Sequence, residues 1–313
     1  MKRFISLAAA AAMIFGAASC QKEPGFNKKT DSVVRFSVNV PAEMSTKAIS
    51  DGTTVDQLVW EVYVGNKEVY HGVVNESTTN PDTKAKQFMV EIGLVTNQTY
   101  DILFWAQKSG PKKSQHHYYN TSNLKYIWMR EPDQTTFEAN NEERDAFYGC
   151  IKNFEIKTGD IATQETVYLK RPFAQINFAS SPQDWQRAKP FIRNIESSNE
   201  HGLLSKVVIN NVSEGFNVYN GDVTGTKRKY TFEYALSPAS KDKNSYGGTD
   251  NYIKHNGADY GWTAMNYVFA PANGDVINDV TAYYIHSGNT AATALSKTVL
   301  SVPYKQNYRT NRS

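Results

Sequence analysis

The sequence predicts an all-β protein built from two antiparallel β-sandwiches in tandem. Apolar residues recur with period two along most of the chain, the mark of half-buried strands. Turn-forming Gly, Pro, Asn and Asp residues separate these runs, and helical periodicity is almost absent. At 313 residues the chain is long enough for two domains of ordinary size.

The N-terminus is read apart from the fold. Met1-Lys2-Arg3 is basic, Phe4 to Ala18 is almost wholly apolar, and Ala17-Ala18-Ser19-Cys20 ends the run with small residues and a thiol. This predicts a lipoprotein signal over residues 1–19, with Cys20 as the lipid-attachment residue of the mature chain. Residues 20–31 are polar and contain Pro and Gly, which suits a tether. No later stretch reaches the roughly 18 apolar residues a helical span needs. With Cys20 lipidated, Cys150 has no cysteine partner, so the cores must hold without a disulfide; Cys150 itself reads as a small buried residue.

Strands follow in order. Val34, Phe36, Val38 and Val40 alternate with polar residues until Pro41. Leu58, Trp60, Val62 and Val64 repeat the pattern, then Phe88, Val90, Ile92 and Leu94. Tyr100, Ile102, Phe104 and Ala106 form the next run, with Leu103 and Trp105 on the other face, so this strand is expected to be buried on both sides. The polar Thr96-Asn97-Gln98 between the last two is short enough for a hairpin. A long polar stretch from Gln107 to Gly149 reads as a functional or mobile loop.

In Val167 to Phe178 the apolar parity switches beside Pro172, which predicts a bulge or a crossing between sheets. The domain boundary is placed just before it, giving domains over residues 32–164 and 165–313. Ser181-Pro182-Gln183-Asp184 reads as the start of a short helix that Pro190 stops. Strand patterns resume at Val207 to Val212, Tyr230 to Leu236, Tyr267 to Ala270, Val280 to Ile285 and Leu295 to Val302. Asn220-Gly221 and Gly247-Gly248 supply turns.

No nucleophile elbow, zincin, P-loop or dinucleotide-binding motif occurs, and no cofactor is expected. The net charge of +3 is well mixed, so nothing argues for nucleic acid. Adjacent His116 and His117 point apart and suit a surface loop better than a metal site. Asn141 to Asp145 reads as a solvated charged loop, and Lys227-Arg228-Lys229 as an exposed strand edge. Tyr118, Tyr119, Tyr126 and Trp128 in the long polar stretch could form a glycan-stacking platform, although sandwiches use many aromatics in any case.

The order of VVRFSVNVP (33–41), STKAISDGTTVDQLVWEVY (45–63), TYDILFWAQ (99–107), RDAFYG (144–149), VYLKRPFAQINF (167–178) and VPYKQNYRTN (302–311) resembles the fimbrillin-like lipoproteins of Bacteroidales, the pilins and accessory proteins of type V pili. The resemblance implies two transthyretin-like sandwiches and an outer-membrane or cell-surface location, lipid-anchored or assembled in fimbriae. It also implies removal of the first strand by a trypsin-like protease and replacement by a strand from a neighbouring pilus subunit. Here that strand carries Val34, Phe36, Val38 and Val40. Lys47 is the cleavage candidate just after it, and Arg35, within the strand pattern, is the alternative. Members of that family usually continue past the NYRTN-like segment into a further strand, so at Ser313 either the final strand is missing, which would leave a sheet edge open, or the end is naturally short. The expected function is structural and adhesive, without catalysis; the alternative is capture of surface glycans by the loop aromatics.

Overall fold

The computed structural model describes residues 32–41, 52, 54–82, 84–110, 118–129, 136–138, 141–157, 164–180, 203–233, 252–255, 258–285 and 295–312. The export signal, Cys20, the tether, Lys47, His116-His117, the short helix and Gly247-Gly248 lie outside these residues.

The described chain is all-β. The first half contributes β1 (Ser32–Val40), β2 (Gln57–Val64), β3 (Lys67–Val74), β4 (Thr78–Thr79), β5 (Lys86–Leu94) and β6 (Thr99–Gln107). An insertion follows with β7 (Tyr119–Asn120), β8 (Ile127–Met129), β9 (Thr136–Glu138) and a 3₁₀ turn (Glu142–Arg144). β10 (Phe147–Glu155) and β11 (Gln164–Tyr168) complete this half. The second half holds β12 (Phe173–Ser180), β13 (Leu203–Asn217), β14 (Asp222–Glu233), β15 (Tyr252–His255) and β16 (Ala258–Phe269). It ends with β17 (Asp275–Ile277), β18 (Val280–Ile285), β19 (Leu295–Val299), β20 (Val302–Tyr304) and β21 (Tyr308–Arg312).

Two sheets, ordered β11-β1-β5-β4 and β10-β6-β2-β3, form the first sandwich. Two more, ordered β21-β12-β16-β15 and β19-β18-β13-β14-β9, form the second. The orders repeat: β1, β2, β3, β4, β5, β6, β10 and β11 match, in turn, β12, β13, β14, β15, β16, β18, β19 and β21. Pairing is antiparallel except for β1 with β11, β12 with β21 and β14 with β9, which run parallel. In each sandwich the first strand is therefore flanked on one side by the last strand of its own half.

Alternation explains the cores. Val34, Phe36, Val38, Leu58, Val62, Phe88, Ile102 and Phe104 fill the first sandwich. The opposite faces of β2 and β6 carry Val59, Tyr63, Leu103 and Trp105, which join the core of the second sandwich with Phe173, Phe216 and Phe269. β6 is thus buried on both faces, as its sequence predicts.

Three expectations are corrected. Residues 96–98 do not close a hairpin, because β5 and β6 belong to different sheets. The connection instead crosses the sandwich, with Asn97 at φ 58° donating its N–H to the Ile156 carbonyl. The stretch from Gln107 to Gly149 is not loop throughout: among the described residues three short strands and a 3₁₀ turn form within it. Asn141 to Asp145 is not solvated at its end: Arg144 and Asp145 are buried. The parity switch beside Pro172 is a crossing between sheets, from β11 in the first sandwich to β12 in the second. Residues 164–168, where the expected boundary falls, pair with β1.

Candidate assembly site

β1 sits in the interior of its sheet. Ser32 to Val40 pair with Leu94 to Lys86 of β5, and Arg35 to Asn39 pair with Gln164 to Tyr168 of β11. Val34, Phe36 and Val38 are 0% exposed and Val40 1%, so the four alternating side chains are wholly inside. Phe36 packs its ring on Phe104 and Phe154, at centroid distances of 5.7 and 5.6 Å.

The outer face of the strand is polar and tied down. Gln87 Nε2 donates to Ser37 Oγ (2.7 Å) and Asn39 Oδ1 (3.1 Å), and Asn39 Nδ2 donates to the Ser37 carbonyl. Arg35 is exposed and donates from Nε to Glu91 Oε1 at 2.6 Å. Its peptide lies in ladders on both sides, so a protease needs the strand opened to engage it.

The four aromatic candidates do not form an open platform. Tyr119, expected in a loop, is wholly buried: its ring packs on Trp105, Phe173 and Phe269, and its hydroxyl donates to the Arg144 carbonyl. This corrects its assignment as a stacking residue. Tyr118 is half-buried, with its hydroxyl donating to Glu143 (2.8 Å) and accepting from Asn141. Tyr126 and Trp128, also half-buried, meet edge to face at 4.8 Å, and the Tyr126 hydroxyl donates to Glu214 Oε1. Burial raises both the Tyr118 and Tyr126 hydroxyls to about 12, so they are neutral donors at physiological pH.

The residues that fix the insertion are largely ones the sequence reading passed over. Asp145 and Arg171, 0% and 4% exposed, form a bidentate pair at 2.8 to 3.0 Å across the crossing between sandwiches. Glu61 accepts from the Leu124 N–H and the Tyr63 hydroxyl; burial raises its carboxyl despite those donors. Glu214 is also pushed up by burial, but the Thr226 N–H, the Tyr126 hydroxyl and Arg228 outweigh this and hold it at about 2. Cys150 is half-buried, and burial pushes its thiol up to about 11, leaving little thiolate for attack at neutral pH. No group of three or more metal-ligating side chains occurs among the described residues. No helix among them is long and apolar enough to cross a membrane.

A family model described as "family of unknown function (DUF6562)" matches residues 27–312. No curated protein matches the chain. Among solved structures the fold is similar to the tip fimbrial protein Mfa3 of Porphyromonas gingivalis. That match has 11% identity and a TM-score of 0.41 over 86% of this chain and 81% of that one. It is also similar to a fimbrial assembly protein of Parabacteroides distasonis, at 10% identity and a TM-score of 0.44 over 89% and 90%. A candidate adhesin of Bacteroides ovatus gives 10% identity and a TM-score of 0.48 over 86% and 77%. At these identities and scores the likenesses carry no weight on function.

Proposed function

We propose that this chain, which belongs to the family of unknown function DUF6562, is a structural, non-catalytic subunit or accessory protein of a cell-surface fimbria that assembles by strand addition and serves adhesion. The observation that carries the reading is the seat of β1. Four consecutive inward side chains are fully buried on a strand bonded on both edges, at the N-terminal end of the described residues. Removing such a strand bares an apolar slot and two unpaired ladders, and a strand from a neighbouring subunit can restore both.

In this reading the chain is exported as a lipoprotein on Cys20 and reaches the outer membrane or cell surface. Cleavage after Lys47 would release lipid, tether and β1 together. Cleavage after Arg35 would leave the inward-facing Phe36, Val38 and Val40 behind, and is the weaker candidate. We also propose that the chain divides into two domains in the connection between β11 and β12. Mass spectrometry of protein recovered from the cell surface tests the scheme. A mature N-terminus at Ala48 without lipid supports a polymerising subunit, and lipidated Cys20 supports an anchor or accessory role. An unprocessed Met1 would defeat the export reading.

A further inference from the structure

Alternation alone does not fix a strand in the β1 slot. A strand slipped by one residue turns its apolar side chains outward, but one slipped by two keeps them inward and keeps both ladders. Only side chains that differ along the strand can tell such registers apart. Phe36, seated against Phe104 and Phe154, is one of them. The others lie on the outer face.

Gln87 of β5 stands directly opposite Asn39 and diagonal to Ser37. Both hydrogen bonds from its amide nitrogen end on β1, at Ser37 Oγ (2.7 Å) and Asn39 Oδ1 (3.1 Å). Asn39 Nδ2 donates in turn to the Ser37 carbonyl at 3.2 Å and to the Val167 carbonyl of β11 at 3.5 Å. The row therefore ties three strands together. Ser37 is only 4% exposed although it lies on the outer face, so its hydroxyl depends on Gln87 and not on water. Further along, Arg35 faces Glu91. A slip of two residues in either direction takes Asn39 away from Gln87 and Arg35 away from Glu91.

A similar row recurs in the second sandwich, on the strands that match β1 and β5. On β12, Asn177 Nδ2 donates to Gln175 Oε1 at 3.2 Å, again two positions apart. Gln175 Nε2 donates to the hydroxyl of Tyr267, the residue opposite it on β16, at 3.0 Å. These three side chains are at most 4% exposed. The first strand of each half is thus pinned by a polar pair bonded to a side chain of the adjacent strand.

We propose that Gln87 is the specificity-determining residue of the β1 slot. It admits, in one register, a strand whose outer face offers a hydroxyl and a carboxamide two positions apart. This rests on the strand-addition reading and adds to it the chemistry of the partner. The strand that replaces β1 carries a large apolar side chain at the place of Phe36 and branched apolar ones beside it. On its other face it carries hydrogen-bonding groups at the places of Ser37 and Asn39. A strand with the apolar alternation alone leaves the Gln87 amide without its acceptors and binds more weakly.

Peptide exchange tests this. The purified full chain is cut by trypsin after β1 and mixed with a fluorescent peptide of residues 32–41, and uptake is followed by anisotropy. The same is done with a peptide carrying Ser37→Ala and Asn39→Ala. The unsubstituted peptide is expected to bind roughly tenfold more tightly. In chains carrying Gln87→Leu or Gln87→Met, which keep a side chain of similar reach on a half-exposed position, that preference is expected to shrink to within about twofold. Equal binding of the two peptides to the unsubstituted chain overturns the proposal and leaves strand addition standing. So does a preference that survives undiminished in both Gln87 variants. Uptake of neither peptide overturns strand addition at this slot, and the role of Gln87 with it.

Discussion

At the level of single residues, the costliest commitment is the Asp145–Arg171 pair. Two charges with almost no exposure are stable only because each satisfies the other in a bidentate arrangement. Arg171 also lays its guanidinium over the Phe147 ring at 4.6 Å. Asp145→Asn leaves that guanidinium buried beside a neutral amide and is expected to cost about 3–5 kcal/mol in urea denaturation. Replacing both partners with apolar residues of similar size is expected to cost much less. Glu214 gives a pH-dependent counterpart. Its pKa falls from 4.5 to about 2 on folding, so its stabilising contribution is present above the ordinary carboxylate range and is lost as pH falls through about 2. Glu214→Gln is therefore expected to lower the melting temperature near neutral pH and to make little difference near pH 2; an equal deficit at both would exclude the ionised carboxylate as its source. Neither group was legible in the sequence. Asp145 closes a charge-rich run, Asn141 to Asp145, of the kind that usually faces water. Its partner lies 26 residues away across a crossing that local patterning cannot see.

At the scale of elements, legibility depended on whether one face of a strand is dry and the other wet. β1 and β5 show clean alternation and were readable residue by residue, whereas β3 was not. Its bulge at Val69 blurs the period, so Val69 and Tyr70 both turn partly inward. Strands β7 to β9 are two or three residues long and were hidden inside a polar stretch. The three residues after Val95 looked like a hairpin because length alone cannot distinguish a turn within a sheet from a bridge across a sandwich. The Tyr100 hydroxyl, which accepts from the Val95 N–H, and the Ile156 carbonyl hold that bridge. The readable element is also the one on which the proposed function rests. Phe36→Ala, which empties the centre of the β1 slot, is expected to destabilise the protein by about 3–5 kcal/mol. It should also speed trypsin cleavage at Arg35, because the strand must open before the protease can engage it. Unchanged cleavage kinetics with the full loss of stability would argue that β1 does not open as a unit.

For the whole molecule, the two sandwiches share a sheet. One face of β2 and β6 belongs to the first core, while Val59, Tyr63, Leu103 and Trp105 on the other face belong to the second. Trp105 is the hinge of this arrangement: wholly buried, it meets Tyr119 at 5.4 Å and Phe173, Phe216 and Phe269 each at 6.4 Å. Its chain neighbours Phe104 and Ala106 lie in the other core. A sheet packed on both faces cannot lose one partner without exposing an apolar face of several large side chains, so the halves are expected to unfold together despite their repeated topology. Calorimetry should show one transition, with fluorescence and circular dichroism coinciding. Trp105→Ala should cost about 3–5 kcal/mol and move that transition as a whole. Two well-separated transitions in the unsubstituted chain would mean that the shared face contributes little. The sandwiches would then act as beads on a string, able to carry load one after the other and not as a single rigid subunit.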